Sequence, residues 1–365
     1  MGPLLSTPAA KPPSLSTLLV TSIPLSPAHL ARLRTLFATV HHHPARDTPP
    51  PREHLAAADV LYGFPPAALE RRAQAPRLRL VQLASAGAER VVASPIWREE
   101  GGGEGEGGRI ALATAAGVHT GVIPQYFICT VLALYSRLQE QLLVSQNERR
   151  WGADGEFGSG AMFVQELRGK TVGVLGYGHI GREAARLAAA FGARVIAANT
   201  SGVRTPQEGY IVPGTGDPDG SIPAAWYASS SPAALAAFLS ATDILLLALP
   251  STPATHHILS ARTLPALRPS SILVNIGRGD SVDTPALLHA LDTRALAGAA
   301  LDVTDPEPLP AGHPLFGRPN VIVTPHLSGR TVRYWDVAID ILEENVRRMR
   351  EGREVLNRVD VDRGY

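Results

Sequence analysis

The chain has 365 residues, of which 45% are hydrophobic, so two packed domains are expected rather than one. It carries 34 lysines and arginines against 33 aspartates and glutamates, without a basic stripe, which argues against binding to nucleic acid or an anionic membrane. The single cysteine, Cys129, excludes an internal disulfide, and its apolar neighbours predict a core position. No apolar run approaches the roughly 20 residues of a membrane span, so we expect a soluble, cytoplasmic protein.

Residues 1–16 are rich in Ser and Pro and are interpreted as a disordered tail. From Thr17 onward, short apolar runs alternate with helix-like runs, which is typical of βα units and a parallel sheet. A glycine-rich stretch at 101–108 is too polar and flexible to pack, so it predicts a surface loop. The apolar run from about Ile123 to Leu143 has a helical pattern long enough to connect two domains.

A second βα series begins at Lys170, and its six apolar runs match the strands of a doubly wound nucleotide-binding domain. A stretch at 201–232, rich in Pro, Gly and Ser, is far longer than the usual connection of about 2 to 6 residues and is interpreted as an insertion. The residues after 327 are too few for a third domain and are expected to pack on the first. The sequence thus predicts an α/β protein with one domain, 17–124 and 328–365, split around another, 125–327.

The run GYGHIG follows the apolar strand TVGVL and opens the helix-like stretch REAARLAAAFG, which is the context of a dinucleotide-binding turn. Its glycines would permit a tight turn and the close approach of a pyrophosphate, and N–H groups at the helix start would face the phosphates. A glycine-rich turn without a ligand is the alternative. The residues assigned to the cofactor in this turn are Gly176, Tyr177, Gly178, His179, Ile180 and Gly181.

The choice between NAD and NADP is predicted from the end of the next strand. Asn199 stands where NAD enzymes usually offer an Asp or Glu to the ribose hydroxyls. The missing acid removes a repulsion from a 2′-phosphate, which Ser201 can hydrogen-bond and Arg204 can pair with. NADP is therefore favoured over NAD as the cofactor, with a solvent-facing Arg204 as the alternative.

Three polar residues stand at or just beyond predicted strand ends, where open α/β sheets place their ligands. Arg278 follows the strand ILVNI, Glu307 lies beyond ALDV, and His326 follows VIVTP. Taken singly, they read as a surface charge, a turn residue and a strand-end histidine. Together they suit hydride transfer to a keto acid, because Arg278 can hold the carboxylate and carbonyl through its fork of donors. His326 can shuttle the proton while Glu307 holds its ring.

The ordered motifs resemble those of the D-isomer-specific 2-hydroxyacid dehydrogenase family, which includes glyoxylate and hydroxypyruvate reductases. The resemblance implies a flavodoxin-like substrate domain split around a Rossmann NAD(P)-binding domain. It also implies hydride transfer between NAD(P)H and C2 of a small 2-keto or 2-hydroxy acid, D specificity, and a homodimer. The motifs that carry it are GYGHIG, LPSTPAT at 249–255, NIGRGDSVD at 275–283, LDVTDPEPLP at 301–310 and TPHLSG at 324–329.

The resemblance also implies individual roles. It makes Arg278, Glu307 and His326 the catalytic residues and places Asp302 near the nicotinamide carboxamide. Backbone groups around Ser85, Ala86 and Gly87 would hold the substrate carboxylate together with Arg278. No metal is expected. Further residues assigned to the cofactor are Leu249, Pro250, Thr255 and Ile276.

Other functions remain open at this point. A dinucleotide-sensing binding protein without turnover, like the corepressors related to this family, is the main alternative, and the complete catalytic set argues against it. Formate dehydrogenases pair their histidine with Gln, where this chain has Glu307. Long phosphoglycerate dehydrogenases carry a regulatory C-terminal domain that this sequence does not contain.

Overall fold

A computed structural model describes residues 14–67, 69–97, 110–153, 155–157 and 164–361. Residues 1–13 of the predicted tail, and the whole predicted loop at 101–108, lie outside the described residues. The end of the predicted tail is ordered, because Leu15 is buried and Ser16 donates two hydrogen bonds to Asp59. The chain divides into two compact units. None of the described helices is long and apolar enough to cross a membrane.

The first unit comprises the residues up to Val118 and those from Val332 onward. Its strands are β1 (Thr17–Thr21), β2 (Thr39–His43), β3 (Val60–Gly63), β4 (Leu80–Gln82) and β5 (Ala111–Ala113). They form a parallel sheet in the order β2-β1-β3-β4-β5. Its helices are α1 (Pro27–Leu36), α2 (Arg52–Ala57), α3 (Glu89–Val92) and, after the second unit, α9 (Tyr334–Arg350).

Helix α9 returns the chain to the first unit. Its apolar face, which includes Ile339 and Leu342, is buried. On its polar side, Asp340 and Glu343 accept hydrogen bonds from Arg32 of α1 at 2.6 and 2.5 Å. The helix therefore completes a layer of this unit.

Strand β2 is absent from the sequence prediction. Its sequence TVHHH contains three consecutive histidines, and its residues are half-buried or exposed because the strand lies at the edge of the sheet. A strand at the edge of a sheet needs no continuous apolar run. The sequence of β2 therefore shows no hydrophobic pattern from which a strand could be predicted.

The second unit comprises His119–Thr331. It begins six residues before, and ends four residues after, the range 125–327 predicted from the sequence. Its strands are β6 (Thr171–Leu175), β7 (Arg194–Asn199), β8 (Trp226–Ala228), β9 (Ile244–Leu247), β10 (Ile272–Asn275), β11 (Gly298–Leu301) and β12 (Val321–Val323). Its helices are α4 (Ile123–Ser136), α5 (Leu138–Leu143), α6 (His179–Ala190), α7 (Pro232–Ser240) and α8 (Thr284–Asp292).

The seven strands are all parallel, in the order β12-β11-β10-β9-β6-β7-β8. The chain reverses its direction of winding between β6 and β9, so the sheet has the switch point at which doubly wound folds bind nucleotides. Alternate residues of the central strands enter two separate apolar cores, one with α4 and α6 and one with α7 and α8. The predicted α/β fold with two Rossmann-like domains is confirmed.

Three further local features differ from the sequence predictions. The series has a seventh strand, β8, within the stretch at 201–232 that was interpreted wholly as an insertion. The long helical run is interrupted at Arg137, which has a left-handed backbone (φ 54°), so α4 and α5 are separate helices. Cys129 is exposed on α4 and does not lie in the core, since the buried stripe of this helix passes through Phe127 and Val131.

Candidate active site

The GYGHIG run forms the turn between β6 and α6, at the switch point of the sheet. Gly176 has φ +101°, and a Cβ there would lie 2.6 Å from the carbonyl oxygen of Ala248. A Cβ on Gly181 would lie 2.3 Å from the carbonyl oxygen of Gly176. At Gly178, which begins the helix, a Cβ would meet nothing within 4 Å. The turn is therefore packed tightly on its protein side and open at the helix start, which fits a pyrophosphate.

Two side chains of this turn face the insertion. The Tyr177 hydroxyl donates to Asp217 Oδ2 at 2.8 Å, and burial raises the pKa of this tyrosine. Burial lowers the pKa of His179, whose ring donates to the backbone carbonyl of Tyr210. The side chains of these two residues thus attach the insertion, and their contacts with a cofactor stay predictions. Ile180 packs at the border of the α4–α6 core.

The predicted 2′-phosphate region is a turn organised by Asn199. Its Oδ1 accepts from the backbone N–H of Gly202 at 2.7 Å, and its Nδ2 donates to the carbonyl of Val203 at 2.8 Å. Arg204 does not extend alone into solvent, because it donates to the carbonyl and carboxylate of Asp219 at 2.6 and 2.8 Å. Ser201 is exposed beside Asn199. The basic group proposed for a 2′-phosphate is therefore already paired with an acid.

Arg278 is carried by a loop at the carboxyl end of β10. The Asn275 amide donates to the Arg278 carbonyl at 2.9 Å, and Arg278 Nη1 donates to the carbonyl of Gly277, also at 2.9 Å. A Cβ on Gly279 would lie 2.0 Å from the carbonyl oxygen of Thr304. The glycine after Arg278 thus allows this loop to pack against the TDPEP loop, which carries Glu307.

His326 and Glu307 form a hydrogen-bonded pair, with 2.7 Å between Nδ1 and Oε1. Because a carboxylate only accepts, Nδ1 carries the proton, and Nε2 is the nitrogen left for exchange with a substrate. Both side chains are about half exposed, at 51% and 44%, so the pair is accessible. His326 adopts a left-handed backbone (φ 54°), and its N–H donates to the Asp302 carbonyl at 2.9 Å. The structure thus brings together the predicted acid and imidazole.

Asp302 is 2% exposed and holds the segment on either side of His326. Its Oδ1 accepts from the Thr324 hydroxyl at 2.6 Å and from the backbone N–H of Leu327 at 3.0 Å. Its Oδ2 accepts from the backbone N–H and the hydroxyl of Ser328. Asp302 is therefore a positioning residue for the segment 324–329 around His326, here called the histidine loop, and its proximity to the nicotinamide carboxamide stays a prediction.

His119 was not identified from the sequence. Its Nδ1 lies 3.1 Å from the carbonyl oxygen of Gly329, so this ring supports the far end of the histidine loop. Burial lowers the pKa of His119, and the charges of His326 and Arg278 lower it further. A Cβ on Gly329 would lie 2.8 Å from the ring, which explains the glycine of TPHLSG. No strand end or motif marked His119, because its partner is a backbone carbonyl distant in the sequence.

The remaining predicted cofactor contacts lie along the β9 and β10 ends. Thr255 Oγ1 donates to the carbonyl of Pro250 at 2.7 Å, which closes the turn after β9. Leu249 lies at the start of this turn, and a Cβ on Gly277 would meet its carbonyl oxygen at 2.6 Å. Ile276 is buried after β10. Their contacts with a cofactor stay predictions.

The predicted carboxylate-binding segment belongs to the first unit and follows β4. The Ser85 hydroxyl donates to the carbonyl of Gly87 at 2.7 Å, and the Ser85 carbonyl accepts from Ala115 N–H at 2.8 Å. Ala86 is exposed between them. These bonds define a bend in the backbone, and its role in binding a substrate stays a prediction. In the described parts of both units, no cluster of three or more His, Cys, Asp or Glu is arranged to hold a metal ion.

Comparison with known families decides the identity of this arrangement. The model of the D-isomer specific 2-hydroxyacid dehydrogenase NAD binding domain matches residues 128–214 and 217–328. The chain belongs to the D-isomer-specific 2-hydroxyacid dehydrogenase family. Members of this family are NAD(P)-dependent dehydrogenases and reductases, so the chain is an oxidoreductase that uses a nicotinamide dinucleotide. The family predicted from the sequence is thereby confirmed.

Individual relatives agree with this assignment. Glyoxylate reductase from Aeropyrum pernix is 33% identical over 293 residues, which cover 78% of each chain. A D-isomer specific 2-hydroxyacid dehydrogenase from Xanthobacter autotrophicus, solved with NADPH and MES, is 25% identical, covers 97% of this chain and 100% of its own, and has a TM-score of 0.70. NADPH-dependent glyoxylate/hydroxypyruvate reductase from Sinorhizobium meliloti, solved with NADP and sulfate, is 25% identical with 96% and 100% coverage and a TM-score of 0.68.

Proposed function

We propose that this dehydrogenase reduces a small 2-keto acid, of the size of glyoxylate or hydroxypyruvate, to the D-2-hydroxy acid. The observation that carries the proposal is the His326–Glu307 pair, with 2.7 Å between Nδ1 and Oε1 and an accessible imidazole. The relatives named glyoxylate reductase and glyoxylate/hydroxypyruvate reductase support the substrate class. A dinucleotide sensor without turnover is disfavoured, because such a protein needs no proton donor.

The chemistry follows from the side chains that the chain supplies. A bound nicotinamide supplies the hydride that adds to C2 of the keto acid. His326 donates a proton from Nε2 to the C2 oxygen, since Nδ1 is engaged by Glu307. Glu307 holds the ring in that orientation throughout. Arg278 binds the carboxylate and the carbonyl through parallel N–H donors, which aligns C2 for attack.

The proposal includes NADPH as the favoured reductant. The absence of an acid at Asn199 supports it, because a carboxylate there would repel a 2′-phosphate. Ser201 and Arg204 follow on the same turn and supply a hydroxyl and a guanidinium. The two similar structures that contain NADPH or NADP agree with this choice.

The proposal is tested by assaying a panel of 2-keto acids with NADPH and with NADH. We expect turnover with glyoxylate or hydroxypyruvate, a higher kcat/KM with NADPH, and a D product wherever C2 becomes chiral. Absence of turnover across the panel, while dinucleotide binding is intact, would support the sensor. An L product on chiral chromatography would remove the stereochemical part of the proposal.

Three further parts of the assignment stay predictions. The backbone at Ser85–Gly87 is proposed to bind the substrate carboxylate, and Ala86→Pro, which removes one N–H donor, should raise KM for the keto acid. A homodimer is proposed from the family resemblance, and sedimentation equilibrium measures it. A cytoplasmic location is proposed from the composition, and microscopy of the tagged protein tests it.

A further inference from the structure

The insertion after β7 is attached to the cofactor-binding helix by a buried arginine. Arg182 of α6 is 3% exposed, and its Nη1 donates to the carbonyl of Asp217 at 2.8 Å. Its Nη2 donates to the carbonyls of Thr205 and Pro206 at 2.9 and 3.0 Å. One guanidinium therefore ties two distant stretches of the insertion to the same helix.

A buried carboxylate fixes the insertion to the glycine turn as well. Asp217 is 3% exposed and accepts from the Tyr177 hydroxyl at 2.8 Å and from the backbone N–H of Ser221 at 3.0 Å. The neighbouring Gly216 N–H donates to Glu183 Oε2 of α6 at 2.7 Å. Because these partners are residues of the dinucleotide-binding turn and helix, this stretch of the insertion has a defined place beside the cofactor site.

Residues 216–221, which these bonds hold in place, include Asp219, and Asp219 contacts Arg204. Arg204 Nε donates to the Asp219 carbonyl at 2.6 Å, and Nη2 donates to the Asp219 carboxylate at 2.8 Å. A Cβ on Gly220 would lie 3.2 Å from Arg204 Cγ, so the glycine also lets the backbone pack along the arginine stem. Both the stem and the charged end of Arg204 are therefore engaged by the insertion.

The pair alters the electrostatics expected for a 2′-phosphate. The Ser221 hydroxyl and, to a lesser extent, Arg204 hold the pKa of the Asp219 carboxyl below its usual range, so it is ionised at neutral pH. A phosphate group carries a charge of about −1.5 to −2 at this pH. A 2′-phosphate at this position would approach an Arg204 whose positive charge is already paired with Asp219, and the Asp219 carboxylate would repel it. Exposed pairs of this kind are weak, so a phosphate can still displace the acid.

We infer that Asp219 is a specificity-determining residue, which weakens binding of the 2′-phosphate of NADP(H) by competing for Arg204. The inference rests on the proposed function, specifically on the placement of the 2′-phosphate at Ser201 and Arg204. The insertion thereby reduces the preference for NADPH that the missing acid at Asn199 creates, and it brings the affinities for the two dinucleotides closer together.

Calorimetric titration of the full chain with adenosine 2′,5′-bisphosphate, and with adenosine 5′-monophosphate as the ligand without the 2′-phosphate, tests the inference. Asp219→Asn should tighten binding of the bisphosphate about twofold to fivefold, which corresponds to loss of an exposed pair. It should leave binding of the monophosphate unchanged. Glu208→Gln is the matched control, because it removes an equal charge from an exposed position of the same insertion and should change neither affinity.

Arg204→Ala separates the inference from the proposal on which it rests. We expect this variant to weaken bisphosphate binding about tenfold, as for loss of a charge-assisted hydrogen bond. If Arg204→Ala weakens binding but Asp219→Asn leaves it unchanged or weaker, the role of Asp219 is wrong while the 2′-phosphate placement stands. If Arg204→Ala has no effect, the placement and the inference both fall. Urea unfolding of each variant shows whether the insertion is still folded. We expect it to be, because the contacts of Arg182 and Asp217 that attach the insertion are unchanged in these variants.

Discussion

Nδ1 of His326 lies 2.7 Å from Oε1 of Glu307, although the two residues come from different loops of the second unit. The bond sets the orientation of the ring and leaves Nε2 as the nitrogen to which we assign proton transfer in the proposed reaction. It depends on the loop geometry that Asp302 imposes on the residues following His326. Substitution of His326 should therefore remove the proton donor, whereas substitution of Glu307 should disturb the orientation of the ring.

Replacing the imidazole should remove proton transfer. His326→Gln is expected to lower kcat about 10²- to 10⁴-fold, the usual contribution of a general acid, while the Kd for the dinucleotide changes little. Single-turnover kinetics and fluorescence titration measure the two quantities. Glu307→Gln retains an acceptor for Nδ1–H and should cause a smaller loss. A nearly normal rate in His326→Gln would exclude this residue from the mechanism.

Arg278 should affect both binding and turnover, because a bidentate grip is made in the ground state and also orients C2. Arg278→Ala is expected to raise KM for the keto acid and to lower kcat. Arg278→Lys keeps the charge without the planar fork and should recover KM more than kcat. Steady-state kinetics at saturating dinucleotide provide the comparison. Unchanged kinetics accompanied by reduced stability would make Arg278 a structural residue.

Cofactor preference should respond to the end of β7. Asn199→Asp is expected to shift the ratio of kcat/KM values toward NADH, because a carboxylate accepts from the ribose hydroxyls and repels a 2′-phosphate. The turn should survive, since an aspartate retains the acceptor used by the Gly202 N–H, although the bond to Val203 is lost. Comparing both dinucleotides in the parent and the variant checks this. A ratio that remains unchanged would contradict it.

The buried guanidinium of Arg182 should be important for stability. Arg182→Met removes the guanidinium donor from the carbonyls of Thr205 and Pro206 and leaves the Asp217 carbonyl with only the N–H of Gly220. It is expected to lower the free energy of unfolding by about 2 to 4 kcal/mol. Arg186→Gln is the matched control on the same helix. Its side chain is 42% exposed, and its buried partner Glu183 keeps the hydrogen bond from the Gly216 N–H, so the loss should be smaller, about 1 kcal/mol. Urea denaturation that gives equal values would contradict the prediction.

Acid should destabilise the first unit through the histidines of β2. The His41 ring stacks on His54 with centroids 3.7 Å apart, and the His43 ring lies 2.9 Å from His54 in a hydrogen bond. Burial, and then the charge of His54, lower the pKa of His41 and of His43. The unfolded chain therefore binds more protons, so stability is constant above about pH 6.5 and falls as the pH decreases below it.

Urea unfolding between pH 5 and 8 measures this dependence. His54→Gln removes the neighbouring charge and should reduce the loss of stability at acid pH. His289→Gln, which changes a histidine of the second unit, should leave the loss unchanged. If the stability of the parent protein is constant down to pH 5, the assignment of acid sensitivity to His41, His43 and His54 is wrong.

The location of the catalytic and glycine-turn residues could be predicted from the sequence, because parallel strands bring their carboxyl ends to the same edge of the sheet. GYGHIG, Arg278 and His326 follow apolar runs that the sequence displays, and Glu307 follows within a few residues. The pairing of Arg204 with Asp219 was unpredictable, since it depends on how a long insertion folds back. His119 was missed because it contacts a backbone carbonyl, which leaves no mark in the sequence. Strand β8 was missed because its three half-buried residues lie at a sheet edge inside that insertion.

The return of α9 to the first unit determines the order in which the chain completes its parts during synthesis. Arg32 is made early, but its partners Asp340 and Glu343 follow only after the roughly 210 residues of the second unit. At ribosomal rates of about 5 to 20 residues per second, synthesis of the second unit alone takes about 10 to 40 s. The second unit is contiguous and can fold within that time, whereas the first unit waits, with the surface that α9 covers still exposed to chaperones and proteases.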